Sequence, residues 1–255
     1  MGEAIIAALL RGGTPASDIA ACDVVPARRQ HLASAYNIAV HDDAPAAARD
    51  ADIVLLAVKP QDWRTAAGAL GAALQPSQTV VSIMAGVRID DLTKALGHPA
   101  VVRAMPNTPG QIGAGFVAWT ATDAVDAKAR DAVAALLSTL GTAVEVPGEK
   151  YVDMATALSA SGPAFVYLVI EAMIDGGVEI GLTRELATQM ACETVLGSAK
   201  FMQSTGEHPA VLRNRVTSPG GTTAAGLAAM EDHAVRAGVA AAVVAAYQRT
   251  LELGG

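Results

Sequence analysis

The stretch Ile53-Val54-Leu55-Leu56-Ala57-Val58-Lys59-Pro60 sets six apolar residues in succession ahead of a lysine and a proline. An unbroken apolar run of this length suits a strand covered on both faces, as in a parallel sheet flanked by helices. The reading recurs at Thr79-Val80-Val81-Ser82-Ile83-Met84 and at Ala100-Val101-Val102-Arg103-Ala104. Helical patterns over 62–74 and 89–96 separate these runs. Shorter strands at 115–119 and 143–146 enclose a further helix over 125–140. Strands alternating with helices predict a doubly wound α/β domain of the dinucleotide-binding, Rossmann-like type over residues 1–147.

After Pro147-Gly148 the strand signals stop. The segments 164–175, 183–204 and 224–253 read as helix, interrupted by Gly176-Gly177, Gly206 and Pro219-Gly220-Gly221. Residues 148–255 are therefore expected to form an all-α domain. Its helices are apolar on more than one face, which predicts burial against a second copy of the chain, a homodimer or larger homo-oligomer.

Of the 255 residues, 52% are hydrophobic and only 4% aromatic, so the core must close on Ala, Val, Leu and Gly. The net charge of −7 argues against a nucleic-acid partner, which needs a basic face. The longest apolar run, 239–247, is well short of the roughly 20 residues that span a bilayer, so no membrane partner is expected. Cys22 and Cys192 make no disulfide framework, and a cytoplasmic location is the expectation. The histidines lie in separate segments without metal-ligand spacing, and no Gly-x-Ser-x-Gly elbow occurs. Hydrolase and metalloenzyme readings lose ground accordingly. Redox chemistry on a nicotinamide asks less of side chains, because the cofactor supplies the hydride and the protein positions it.

In a doubly wound sheet, ligands bind beyond the carboxyl ends of the strands. Here these ends carry Ala57-Val58-Lys59-Pro60, Met84-Ala85-Gly86-Val87 and Ala104-Met105-Pro106-Asn107-Thr108-Pro109. Small residues and prolines let a flat ligand approach the backbone. Lys59 offers a cation, and Asn107 both a donor and an acceptor. Two more segments stand apart. Leu158-Ser159-Ala160-Ser161-Gly162-Pro163-Ala164 opens the helical region and reads as a wall of a substrate pocket, with Ser161 or a neighbour as a helix cap. Val216-Thr217-Ser218-Pro219-Gly220-Gly221-Thr222-Thr223 runs into an Ala-rich helix. Its glycines admit unusual backbone angles, and its threonines bring hydroxyls and N–H groups to a helix N-terminus, where an anion is favoured. Taken alone, it is equally a loop with a threonine cap.

In register and in order, these segments resemble the pyrroline-5-carboxylate reductase family over nearly the whole chain. Glu171-Ala172-Met173, Leu196-Gly197-Ser198-Ala199-Lys200 and Glu207-His208-Pro209 are similar too, and 218–223 is the most specific match. The resemblance implies an imine reductase that uses NADPH or NADH and acts on a small-molecule substrate, pyrroline-5-carboxylate, to give proline. It implies a helical domain that interlocks with a second subunit. Gly2, Val58, Lys59, Pro60, Ala85, Gly86, Asn107 and Arg28 would then line the cofactor site. Gly220, Gly221, Thr222, Thr223 and Ser161 would hold the substrate. Ser218 and Thr223 would stand at the reacting centre, with the Thr223 hydroxyl on the ring nitrogen.

The chain departs from the family pattern in places. Ala160 replaces a usual glycine. Asp23, past a strand at 19–22, suits a ribose 2′-hydroxyl, whereas Arg28 and Arg29 suit a 2′-phosphate, so NADH and NADPH both stay open. The family opens with a strand and a Gly-x-Gly-x-Met-Gly turn, and Met1-Gly2 looks like the end of that turn, with 3–10 as the first helix. A sheet lacking its first strand and a weakened grip on the cofactor are therefore expected. Other readings are a different dehydrogenase or imine reductase of this architecture, and a truncated, non-catalytic dimerising paralogue.

Overall fold

The computed structural model describes residues 1–59 and 61–254. The chain forms two compact units, Met1–Ser161 with Ala246–Gly255, and Gly162–Ala245.

The first unit opens with α1 (Gly2–Arg11), β1 (Ala20–Cys22), α2 (Pro26–Tyr36), β2 (Ala39–His41) and α3 (Ala44–Ala48). It continues through β3 (Ile53–Leu56), α4 (Trp63–Gly71), β4 (Thr79–Ser82), α5 (Ile89–Leu96) and β5 (Val101–Met105). Then come β6 (Gly115–Ala121), α6 (Ala127–Ser138), β7 (Gly141–Glu145), α7 (Glu149–Ala155) and one π-helical turn, Thr156–Ala160. Two sheets result, a β1-β2 pair and a five-stranded sheet in the order β3-β4-β5-β6-β7.

The apolar runs behave as both-face strands. Val81 and Val102 pair in register and face one core cluster, with Ile5 and Ala8 of α1, Trp119 of β6 and Val133 and Leu137 of α6. Val80 and Val101 face the other cluster, with Trp63, Ala67 and Leu70 of α4 and Leu92 and Leu96 of α5. The sheet is parallel over β3-β4-β5. β6 runs antiparallel to β5, and β7 parallel to β6. The connection over 106–114 is too short for the helical crossover that a parallel step requires.

The second unit is helical: α8 (Gly162–Glu179), α9 (Arg184–Thr205), α10 (Pro209–Arg215), α11 (Thr222–Asp232) and the first part of α12 (Val235–Leu253). One sequence expectation changes here. The helix expected over 224–253 breaks at His233-Ala234, where Ala234 takes a left-handed φ of 53°. Glu207 and His208 form a loop that leads into α10: His208 Nδ1 accepts the Ala210 N–H at 3.2 Å, and Pro209 suits a first helical position.

Candidate active site

At the carboxyl end of β3, Val58 and Lys59 are exposed, and the Lys59 carbonyl accepts the Asp62 N–H at 2.9 Å, tying the segment to the start of α4. Pro60 lies outside the described residues. The N-terminus of α1 comes against the same strand end. A Cβ built on Gly2 would stand 3.1 Å from the Ala57 Cβ. No side chain caps this helix, so its first N–H groups and the positive end of its dipole are left for an anion. At the end of β4, Gly86 has φ +73°, and a Cβ there would meet the Leu253 carbonyl oxygen at 2.9 Å. Ala85 beside it is half-buried. These small residues at adjoining strand ends fit a dinucleotide, whose pyrophosphate needs close backbone approach and a helix N-terminus.

Asn107 is fixed at both ends of its amide. Its Oδ1 accepts the Phe116 N–H at 3.0 Å, and its Nδ2 donates to Ser159 Oγ at 3.2 Å. Sequence reasoning placed Ser161 in the pocket wall and passed over Ser159. In the structure the Ser161 hydroxyl turns back to donate to the Thr156 carbonyl at 3.1 Å, closing the π turn. The serine facing Asn107 is Ser159. The Ala160 departure falls within this turn. A single π turn, of the kind that often marks functional segments, was not visible in a Ser/Gly/Pro composition.

Arg28 does not stand free. It donates to Glu3 Oε2 at 2.7 Å, while Glu3 also faces His31 Nε2 at 2.7 Å and accepts the Tyr36 hydroxyl at 3.0 Å. The Arg28 guanidinium first, and His31 second, hold the Glu3 carboxyl down at about 2. Arg29 donates to the Asp23 carbonyl at 2.8 Å, and Asp23 Oδ1 accepts the Val25 N–H at 2.8 Å. The two arginines and the acid that the sequence set in opposition are thus each engaged by protein groups.

In the second unit, Ser218, Gly220 and Thr222 are exposed, and Gly221 and Thr223 half-buried. Gly220 has φ +68°, in the left-handed region that favours glycine. Gly221 N–H closes the turn onto the Ser218 carbonyl at 3.0 Å. A Cβ on Gly221 would come within 2.5 Å of Ser218 Oγ, so this position has no room for a side chain. Gly221 is itself the N-cap of α11, and no side chain caps the helix. The threonine cap is therefore not the outcome. The N–H groups of the first turn are left to a ligand, in the arrangement that receives a carboxylate without a charged side chain. Among the described residues, no group of His, Cys, Asp and Glu is arranged to hold a metal.

A parallel three-strand core with a helix N-terminus at its strand ends defines a dinucleotide-binding fold. Two family models match the chain: "NADP oxidoreductase coenzyme F420-dependent" over residues 1–86, and "Pyrroline-5-carboxylate reductase dimerisation" over residues 149–253. The pyrroline-5-carboxylate reductase of a Synechocystis species is 44% identical, over 100% of this chain and 95% of its own. That of Pseudomonas aeruginosa is 40% identical, over 99% and 93%. A solved pyrroline-5-carboxylate reductase from Coxiella burnetii has a TM-score of 0.91 at 30% identity, covering 100% of this chain and 95% of its own. One from Plasmodium falciparum, with NADP bound, has a TM-score of 0.83 at 29% identity, covering 93% and 98%. The chain belongs to the pyrroline-5-carboxylate reductase family. It is an oxidoreductase that uses NADPH or NADH. A prephenate dehydrogenase from Aquifex aeolicus, at 16% identity and a TM-score of 0.55, shares the fold alone.

Proposed function

We propose that the chain reduces the C=N bond of 1-pyrroline-5-carboxylate to L-proline, and that its 218–223 turn holds the substrate carboxylate. The uncapped first turn of α11, shaped by Gly220 and Gly221, carries this reading. The N–H groups of Thr222 and Thr223 receive the carboxylate, the Gly221 N–H staying on the Ser218 carbonyl, and Ser218 adds a hydroxyl beside it. The Thr223 hydroxyl faces the ring nitrogen. When bound, the nicotinamide would supply a hydride to the C=N carbon of the protonated imine, the carbon that becomes C5 of proline, and the product amine keeps the proton that was already on nitrogen. No histidine relay is needed. An oriented hydroxyl stabilises the nitrogen as its charge changes, as a preorganised dipole does.

The cofactor residues are Gly2, Val58, Lys59, Pro60, Ala85, Gly86 and Asn107, on the strand ends and the α1 N-terminus. Arg28 joins them only if a 2′-phosphate draws it from Glu3. The active species is a homodimer built on residues 149–253, in keeping with the matched dimerisation family. The helical stretch Glu149–Glu179 is long and apolar enough to cross a membrane by composition, yet it lies wholly inside that matched region. We assign its apolar surface to the partner subunit and the chain to the cytoplasm.

The test is Thr223→Ala, assayed for substrate reduction and for cofactor binding. Turnover should fall about tenfold or more, the scale for losing one donor at a reacting centre. The cofactor dissociation constant should hold within about twofold. Wild-type turnover in that variant would remove Thr223 from the mechanism.

A further inference from the structure

Arg103 is the largest fully buried side chain of the first unit, at 0% exposure in the middle of β5. Its guanidinium reaches Asp153 Oδ1 at 2.7 Å and Glu149 Oε1 at 3.0 Å, both on α7. Asp153 is itself buried, and its second oxygen accepts Arg88 at 2.9 Å. Glu149 Oε1 also accepts the Ile89 N–H, at the start of α5, at 3.0 Å. Arg103 Nε, among the described residues, has no partner. A buried charge cluster with an orphaned donor is a poor route to stability, since apolar side chains of similar volume commonly do as well or better.

What the cluster does provide is registration. Beyond Arg103 the strand runs straight to Asn107, and beyond Asp153 the helix runs straight into the π turn that carries Ser159. Those two tips meet through the Asn107–Ser159 hydrogen bond. The guanidinium is planar and its two N–H donors take one carboxylate each, a directional fit of strand to helix that an apolar contact lacks. Ser159 accepts from Asn107, and its own hydroxyl hydrogen has no acceptor among the described residues.

We propose that the Arg103–Asp153–Glu149 cluster is a positioning device that sets Asn107 and Ser159 for the cofactor, and that Ser159 donates its hydroxyl hydrogen to the bound cofactor. The inference rests on Asn107 belonging to the cofactor site. The test is a double-mutant cycle, Asp153→Asn with Ser159→Ala, read as NADPH and NADH dissociation constants from the rise in cofactor fluorescence. Each single variant should weaken binding by about fivefold, the worth of one ordered hydrogen bond. The double variant should be no weaker than the weaker single one, because both act through the same contact. Multiplying effects in the double variant, or an unchanged constant for either single, would overturn the proposal. Glu149→Gln, at a half-buried member of the cluster, replaces Asp153→Asn in the cycle if the latter fails to fold. A wild-type chain that binds neither cofactor would instead overturn the cofactor reading itself.

Discussion

Glu3 shows how much one side chain near the α1 N-terminus carries. Three groups from α2 converge on it, Arg28, His31 and Tyr36, and it holds α1 to that helix. Its carboxyl is lowered to about 2 in the folded chain, against roughly 4.3 for an unperturbed glutamate. A depressed carboxylate contributes stability that is fully present above its unfolded value and is lost as pH falls through the folded one. Glu3→Gln should therefore flatten the acid limb of the stability curve between about pH 4 and pH 2, with little change in its shape near neutrality. Urea midpoints across that range would show it; identical limbs in both proteins would refute the linkage. Thr223 belongs to the same scale, since its effect is expected in turnover and not in cofactor affinity.

At the scale of elements, Gln78 explains how β3 and β4 are held. It is 3% exposed, yet all its amide groups are used. Its Nε2 donates to the carbonyls of Ala48 and Ala51, each at 2.6 Å, and its Oε1 accepts the Gln75 N–H at 2.8 Å. One side chain thus closes the turn before β4 and the loop before β3. Gln78→Leu keeps the volume but leaves the Ala51 carbonyl and the Gln75 N–H without a protein partner, while the Ala48 carbonyl keeps the Ala51 N–H. Each such group costs about 1–3 kcal/mol, so a loss of several kcal/mol is expected in urea unfolding. A change under about 1 kcal/mol would mean that water replaces the amide.

The strands from 53 to 105 were legible because a both-face strand announces itself by composition alone. β6 was legible as a strand, but not in its direction. The π turn was not legible at all, because one extra residue in a helical turn leaves no mark on apolar periodicity. The break at Ala234 escaped for a similar reason: alanine favours helix, and nothing in its type announces a left-handed backbone.

For the whole molecule, the second unit sets the expectation. Leu168 is 66% exposed, Tyr167 58% and Phe201 56%, on α8 and α9, which is far from what an isolated chain tolerates. Sedimentation should give at least twice the chain mass, and Leu168→Glu with Phe201→Glu should lower the mass or the solubility. A monodisperse wild-type monomer would contradict the dimer reading.

The sequence alone determined the layered α/β class, the helical second half and the segments that carry chemistry. All of these rest on periodicity, composition and the backbone needs of glycine and proline, which are local properties. Tertiary structure decided the antiparallel turn of the sheet, the commitment of Arg28 to Glu3, and the pairing of Ser159 with Asn107. It also brought Arg103 to Asp153 across 50 residues of sequence. These depend on which side chains meet once distant segments pack, and a buried guanidinium finds its carboxylates only after a strand and a helix have been laid together.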